Sequence, residues 1–170
     1  VRQALATILL TASPFLVVAL RRAIPALTGL EDHAPDPVIL GLAFVALRVD
    51  PVSACLWAAC CGFLLDAPSG TPFGLGAARL ALVTAALGTL RTQLDTETLA
   101  VRALVVIGAG IAEKTLGAIV LEASSGEVPI LALLGRGALV AFATVTLVPV
   151  LWPALEMLRA TAGGRRARAR

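Results

Sequence analysis

Two apolar runs joined by a short turn decide how this chain folds: VSACLWAACCGFLLD (Val52–Asp66), then APSGTPF (Ala67–Phe73), then GLGAARLALVTAALGTL (Gly74–Leu90). Each run is long enough for a helix and too apolar for a helix with one face in water, and the turn supplies the stop. Pro68 and Pro72 end helix propagation, while Gly70 and Gly74 accept backbone conformations that other residues resist. The segment therefore reads as a rigid hairpin of two helices in a solvent of lipid.

The rest of the chain extends that reading. Of 170 residues, 58% are hydrophobic and 15% charged, against roughly 25% charged in soluble domains, and the mean hydropathy is +0.91. The composition predicts an all-α integral membrane protein. It is organised as one helical domain over 1–160 and a basic cytoplasmic tail over 161–170 that holds Arg165, Arg166, Arg168 and Arg170. Little sequence remains for a separate soluble catalytic or nucleotide-binding domain. The first apolar run, with only Arg2 before it and no small-residue cleavage site after it, reads as a retained span.

About six spans are expected, near Ala4–Leu20, Val38–Leu47, Val52–Asp66, Gly74–Leu90, Leu99–Glu122 and Pro129–Arg159. The second rises only about 15 Å as a helix, short of a hydrocarbon core of roughly 30 Å, so it needs its flanks, local thinning or partial re-entry. Fused with the third, it would leave five. Asp36-Pro37 and Asp50-Pro51 each place a carboxylate N-cap before a proline suited to the first helical turn. Pro14 should kink the first span, and Pro149 and Pro153 should bend the last near its inner end. With both termini inside, Arg2, Arg48, Arg91, Arg102, Arg159 and the tail arginines share one side and only Arg21 and Arg22 lie opposite, a positive-inside bias.

Charges within the spans need partners. At the helical rise, Glu113 lies about 13 Å and Arg136 about 10 Å from the outer ends of the last two spans, which predicts a pair between them. Asp66 at the end of the third span faces Arg79, about 7 Å into the fourth, which predicts a second. Lys114 projects about 100° from Glu113 and should need a different partner. Gly74, Ala78, Ala81, Ala85 and Gly88 form a small-residue face on the fourth span, and Gly108, Ala112 and Gly117 a similar one on the fifth; such faces chiefly serve packing within one protein.

No catalytic constellation is evident. His33 stands beside Glu31 and Asp32 without the converging ligands a metal needs. Cys55, Cys60 and Cys61 have neither C-x-x-C spacing nor nearby histidines, and read as small buried side chains. The arginine tail lacks interleaved aromatics and directly follows a span, so topology control and anionic lipid account for it better than nucleic acid does. No cofactor is expected.

The stretch from Gly62 through Asp66, Ser69, Gly70, Pro72 and Gly74 to Ala77 resembles the signature of the MreD family of rod shape-determining membrane proteins: an apolar helix ending in aspartate, a Ser-Gly turn, then Gly-Leu opening a helix rich in small residues. Pro35-Asp36, the apolar run after it, the basic break at Arg48 and Pro51 are similar to the family's entry from second to third span. The likeness is close from Pro35 to about Leu90. It implies a six-helix protein of the bacterial inner membrane, similar in fold to the substrate-binding subunits of energy-coupling-factor transporters. It also implies a non-enzymatic part in cell-wall elongation, with MreC, a RodA-type SEDS glycosyltransferase and its class B penicillin-binding protein as partners, and MreB filaments reached indirectly. In a vitamin-binding transporter subunit, the alternative, a pocket rich in polar and aromatic residues would be wanted. This chain has no tyrosine and two tryptophans. An intramembrane enzyme ranks third, since Asp66, Glu113 and Lys114 lack a nucleophile-and-base arrangement.

Overall fold

A computed structural model describes residues 2–28, 34–68, 72–91, 93, 98–125 and 130–163. These form seven helices: α1 (Arg2–Thr28), α2 (Pro37–Arg48), α3 (Pro51–Asp66), α4 (Leu75–Leu90), α5 (Leu99–Ser125), α6 (Ile130–Val145) and α7 (Val148–Gly163). Both Asp-Pro starts form as the sequence dictates. Asp36 accepts the Val38 N–H at 3.0 Å and Asp50 that of Ser53 at 2.9 Å, with Pro37 and Pro51 in the first turns. Serving as N-cap holds the Asp50 carboxyl below its ordinary range.

The core is α2. Every residue from Pro37 to Leu47 is buried, and the other helices wrap around it. Its 12 residues rise only about 18 Å. A helix that touches no lipid along its length does not need the bilayer's thickness, which answers the shortness seen in the sequence. Ile39 lies against Gly110 of α5, 3.5 Å from where a β-carbon would stand. Asp36, a turn before Ile39, therefore sits level with Glu113, and α5 continues for roughly 18 Å beyond that level to Ser125. The N-terminus of α2 is inside the bundle.

The expected single last span is two helices meeting at a 61° bend between Gly137–Val145 and Val148–Met157. The bend comes at Thr146–Leu147, midway along, and not near the inner end. Pro149 explains its place: the ring would collide with the carbonyl of Val145 and offers it no N–H. Short turns bridge the break, with Leu147 N–H on Thr144 O at 3.0 Å and Leu151 N–H on Leu147 O at 2.8 Å. Helix α1 holds Pro14 and Pro25 within its length and runs on to Thr28, past the expected end at Leu20.

The α3–α4 hairpin is the tightest contact, and its chemistry is glycine. A β-carbon on Gly62 would run into the backbone N and Cα of Ala77, so the two helices approach at a distance that only glycine allows. The face of α4 that meets the bundle carries Gly76, Ala77, Leu80, Val83, Thr84 and Leu87. This corrects the expectation for Gly74, Ala78, Ala81, Ala85 and Gly88. Ala78 and Ala85 are exposed, Gly74, Ala81 and Gly88 only half-buried, and a β-carbon on Gly88 would meet nothing. Gly74 and Ala81 still touch α3, through Asp66 and Cys55, while Ala78 and Ala85 face outward. On α5, Gly108 and Ala112 are likewise exposed.

Among the described residues, Leu99–Val120 is long and apolar enough to cross a membrane, the bent α6–α7 pair passes jointly, and α2, α3 and α4 are shorter apolar helices. Large apolar side chains such as Leu16, Val52, Leu56, Leu82, Leu104 and Val150 stand exposed around the outside, a surface suited to lipid and ill-suited to water. We expect Gly62→Val to cost at least about 1–3 kcal/mol by overpacking, and Gly108→Ala, with open space around it, to stay within about 0.5 kcal/mol. Thermal unfolding in detergent micelles, followed by tryptophan fluorescence, checks this; equal melting temperatures would refute the close approach.

Candidate functional site

The polar groups gather in two layers, one at each end of α2. At its N-terminus Asp36, 4% exposed, has three partners: the Val38 N–H on its side chain, Arg21 of α1 at 3.1 Å, and Thr144 Oγ1 of α6, which accepts the Asp36 N–H at 2.8 Å. Thr144 in turn donates to Val140 O at 2.7 Å. The orphan N–H groups of a helix start need acceptors; here the Asp36 carboxylate takes that of Val38, Thr144 of α6 takes that of Asp36 itself, and Arg21 of α1 neutralises the capping carboxylate.

Level with Asp36 lies Glu113, 5% exposed. Its carboxylate pairs with Arg79 of α4 at 3.4 Å and Lys114 at 3.0 Å. Small residues make the room. The Arg79 guanidinium passes over Gly117, where a β-carbon would strike Nη1, and the Lys114 stem rests on Gly137 of α6, 2.7 Å from a β-carbon's place. Burying one carboxylate between two cations is far cheaper than burying any of the three alone.

Several sequence expectations change here. Glu113 takes Arg79, and the side chain of its expected partner Arg136 lies outside the described residues. Lys114, expected to look elsewhere, returns to Glu113, because a long flexible stem overcomes the 100° offset between neighbours on a helix. Asp66 does not hold Arg79 but caps α4: its Oδ2 accepts the Gly74 N–H at 3.0 Å, and its two oxygens accept the Gly76 N–H at 3.0 and 2.9 Å. A carboxylate at a helix N-terminus is also favoured by the helix dipole. Gly74 has a positive φ of 97°, which requires glycine, and a β-carbon on Gly76 would strike the Asp66 carboxylate. Phe63 and Phe73 stack across the turn with centroids 5.2 Å apart. Ser69 and Gly70 lie outside the described residues, as does His33.

The second layer, at the C-terminal end of α2, escaped the sequence reading. Arg48 of α2 and Arg102 of α5 both reach Glu156 of α7, at 3.2 and 3.5 Å. Glu156 also accepts the Trp152 Nε1–H at 2.9 Å, and Arg102 lies over the Trp152 ring, 5.2 Å from its centroid. Phe44 meets that ring edge-on at 5.4 Å, so α2 is anchored by packing as well as charge. Arg91 donates to Val49 O at 2.8 Å. Only the i, i+4 spacing of Trp152 and Glu156 was visible beforehand; no local pattern ties Arg48 to a residue so far along the chain.

Among the described residues no group of three or more His, Cys, Asp or Glu side chains could hold a metal. Cys61 is buried, Cys55 half-buried and Cys60, unlike the expected buried side chain, exposed. The described carboxylates, Asp36, Asp50, Asp66, Glu113 and Glu156, are in caps and ion pairs. A seven-helix bundle with an apolar exterior, a buried central helix and charges spent on holding helices together defines a helical membrane-associated protein built for structure. The family model of rod shape-determining protein MreD matches residues 2–122, which takes in α1 to α4 and most of α5, and the chain belongs to that family. No curated protein and no solved structure matches it. Membership assigns the chain a non-catalytic role in rod-shape determination, within the elongation machinery.

Glu113→Gln leaves Arg79 and Lys114 uncompensated and should cost about 3–5 kcal/mol. Adding Arg79→Gln should restore part of this, visible as a higher melting temperature for the double variant than for Glu113→Gln. Strictly additive losses in that double-mutant cycle would show that the pair is not coupled.

Proposed function

We propose that the chain is a non-enzymatic scaffold of the cell-wall elongation complex, which binds MreC and, with it, a RodA-type SEDS glycosyltransferase and its class B penicillin-binding protein. MreB filaments would be reached indirectly. Membership of the MreD family carries this reading. The outward small-residue face of α4 supports it: Ala78 and Ala85 are exposed, and such a face lets a partner's single span pack closely without displacing any of the chain's own contacts.

The proposed setting is the bacterial inner membrane, crossed about six times with both termini in the cytoplasm, α6 and α7 counting as one bent span. The contacts support a common side for the two ends. α1 runs toward Asp36, since Arg21 near its far end pairs there, while α7 passes Glu156 at the Arg48 end. The start of α1 and the end of α7 thus share the end that also holds Arg91 and Arg102.

Affinity purification of the tagged chain from native membranes in mild detergent tests the proposal. MreC, the glycosyltransferase and the penicillin-binding protein should co-purify. Ala78→Phe with Ala85→Phe should remove them and leave cells rounded, whereas Val150→Phe on exposed α7 should change neither. Capture of an ATPase and a coupling subunit instead would overturn the scaffold in favour of a transporter subunit.

A further inference from the structure

A groove of about 550 Å³ lies between α1 and α3, lined by Phe15, Val18, Ala19, Arg22 and Ala23 on one side and Leu64 on the other. The α1 residues recur at helical spacing and form a single face. Val18 is its buried floor, while Phe15 is 63% exposed at one end. The other end carries a charge. Arg21 turns inward to Asp36, but its neighbour Arg22 is exposed and has no hydrogen bond or ion pair among the described residues.

We propose that this groove holds one anionic phospholipid, with an acyl chain along Phe15, Val18 and Leu64 and its phosphate on the Arg22 guanidinium. The order of chemistry along the groove is that of an amphiphile: an apolar trough, about 12 Å long from Phe15 to Ala23 at the helical rise, closed by a cation that has no ion pair among the described residues. A guanidinium presents a planar fork of donors that matches phosphate oxygens. Size favours lipid over a partner's helix. A helix 10–12 Å across displaces roughly 900–1,300 Å³ over that length, so it would seat only in part, whereas an acyl chain lies within the groove. The inference rests on this geometry and stands apart from the scaffold reading.

The test is native mass spectrometry of the purified full chain with phosphatidylglycerol or with diacylglycerol of the same acyl chains, which lacks the phosphate. One phosphatidylglycerol should be retained in preference to diacylglycerol. Arg22→Gln should weaken that retention about fivefold, the effect of one basic residue at a lipid surface. Ala19→Phe, which fills the trough, should abolish it, and Leu20→Phe, on the same helix outside the groove, should leave it unchanged. Because Arg22 is exposed, Arg22→Gln keeps the test valid even where Ala19→Phe fails to fold. Equal retention by wild type, Arg22→Gln and Leu20→Phe would mean ordinary annular lipid and overturn the proposal. In membranes, benzoylphenylalanine in place of Phe15 should crosslink to phospholipid on illumination; crosslinks to protein alone would show a partner helix there and overturn it as well.

Discussion

The rest of this structure depends on the need to satisfy a helix start that is buried among the other helices. The first residues of α2 are buried, and a buried polar group left unanswered costs roughly 2–7 kcal/mol. Asp36 answers by capping, but a buried carboxylate then needs its own cation, which Arg21 supplies from α1, and its backbone N–H needs Thr144 of α6. One cap thereby draws three helices to a fixed register. The bend at Thr146–Leu147 begins two residues after Thr144, which makes this contact.

The opposite end of α2 is held by a different device. Glu156 gathers Arg48, Arg102 and Trp152, so that α2, α5 and α7 meet at one carboxylate. Between the two layers the α2 surface is wholly apolar and fully covered. Charge thus fixes the ends of the central helix and shape complementarity its middle, leaving the outer faces of α3, α4 and α5 free of internal duty. The exposed Ala78, Ala85, Gly108 and Ala112 lie on them.

Much of the fold was legible because local chemistry writes it. The Asp-Pro starts of α2 and α3, the Gly/Pro turn after Asp66, and the helices α3 to α5 all follow from residues a few positions apart. The partners of buried charges were not legible in the same way. Depth along a helix is readable from sequence, but azimuth relative to a neighbour is not: the structure brings Arg79 to Glu113 across Gly117 and turns Asp66 to the start of α4. The small-residue face of α4 failed for the same reason. Its spacing was evident, but which side of the helix α3 would occupy depended on Gly62 and Gly76, neither of which belongs to the stripe.

By itself, the sequence determined the solvent, the all-α class, where most helices begin and stop, and the family whose motif runs from Gly62 to Ala77. Those properties come from hydrophobicity summed over each segment and from backbone preferences of proline, glycine and capping aspartate, all of which act within a few residues. Tertiary structure alone decided that α2 is the core, that Asp66 caps α4 and leaves Arg79 for Glu113, and which faces remain outside. Those outcomes depend on how closely helices approach and how they are rotated about their axes, and both are set by glycine contacts and ion pairs between residues far apart in the chain.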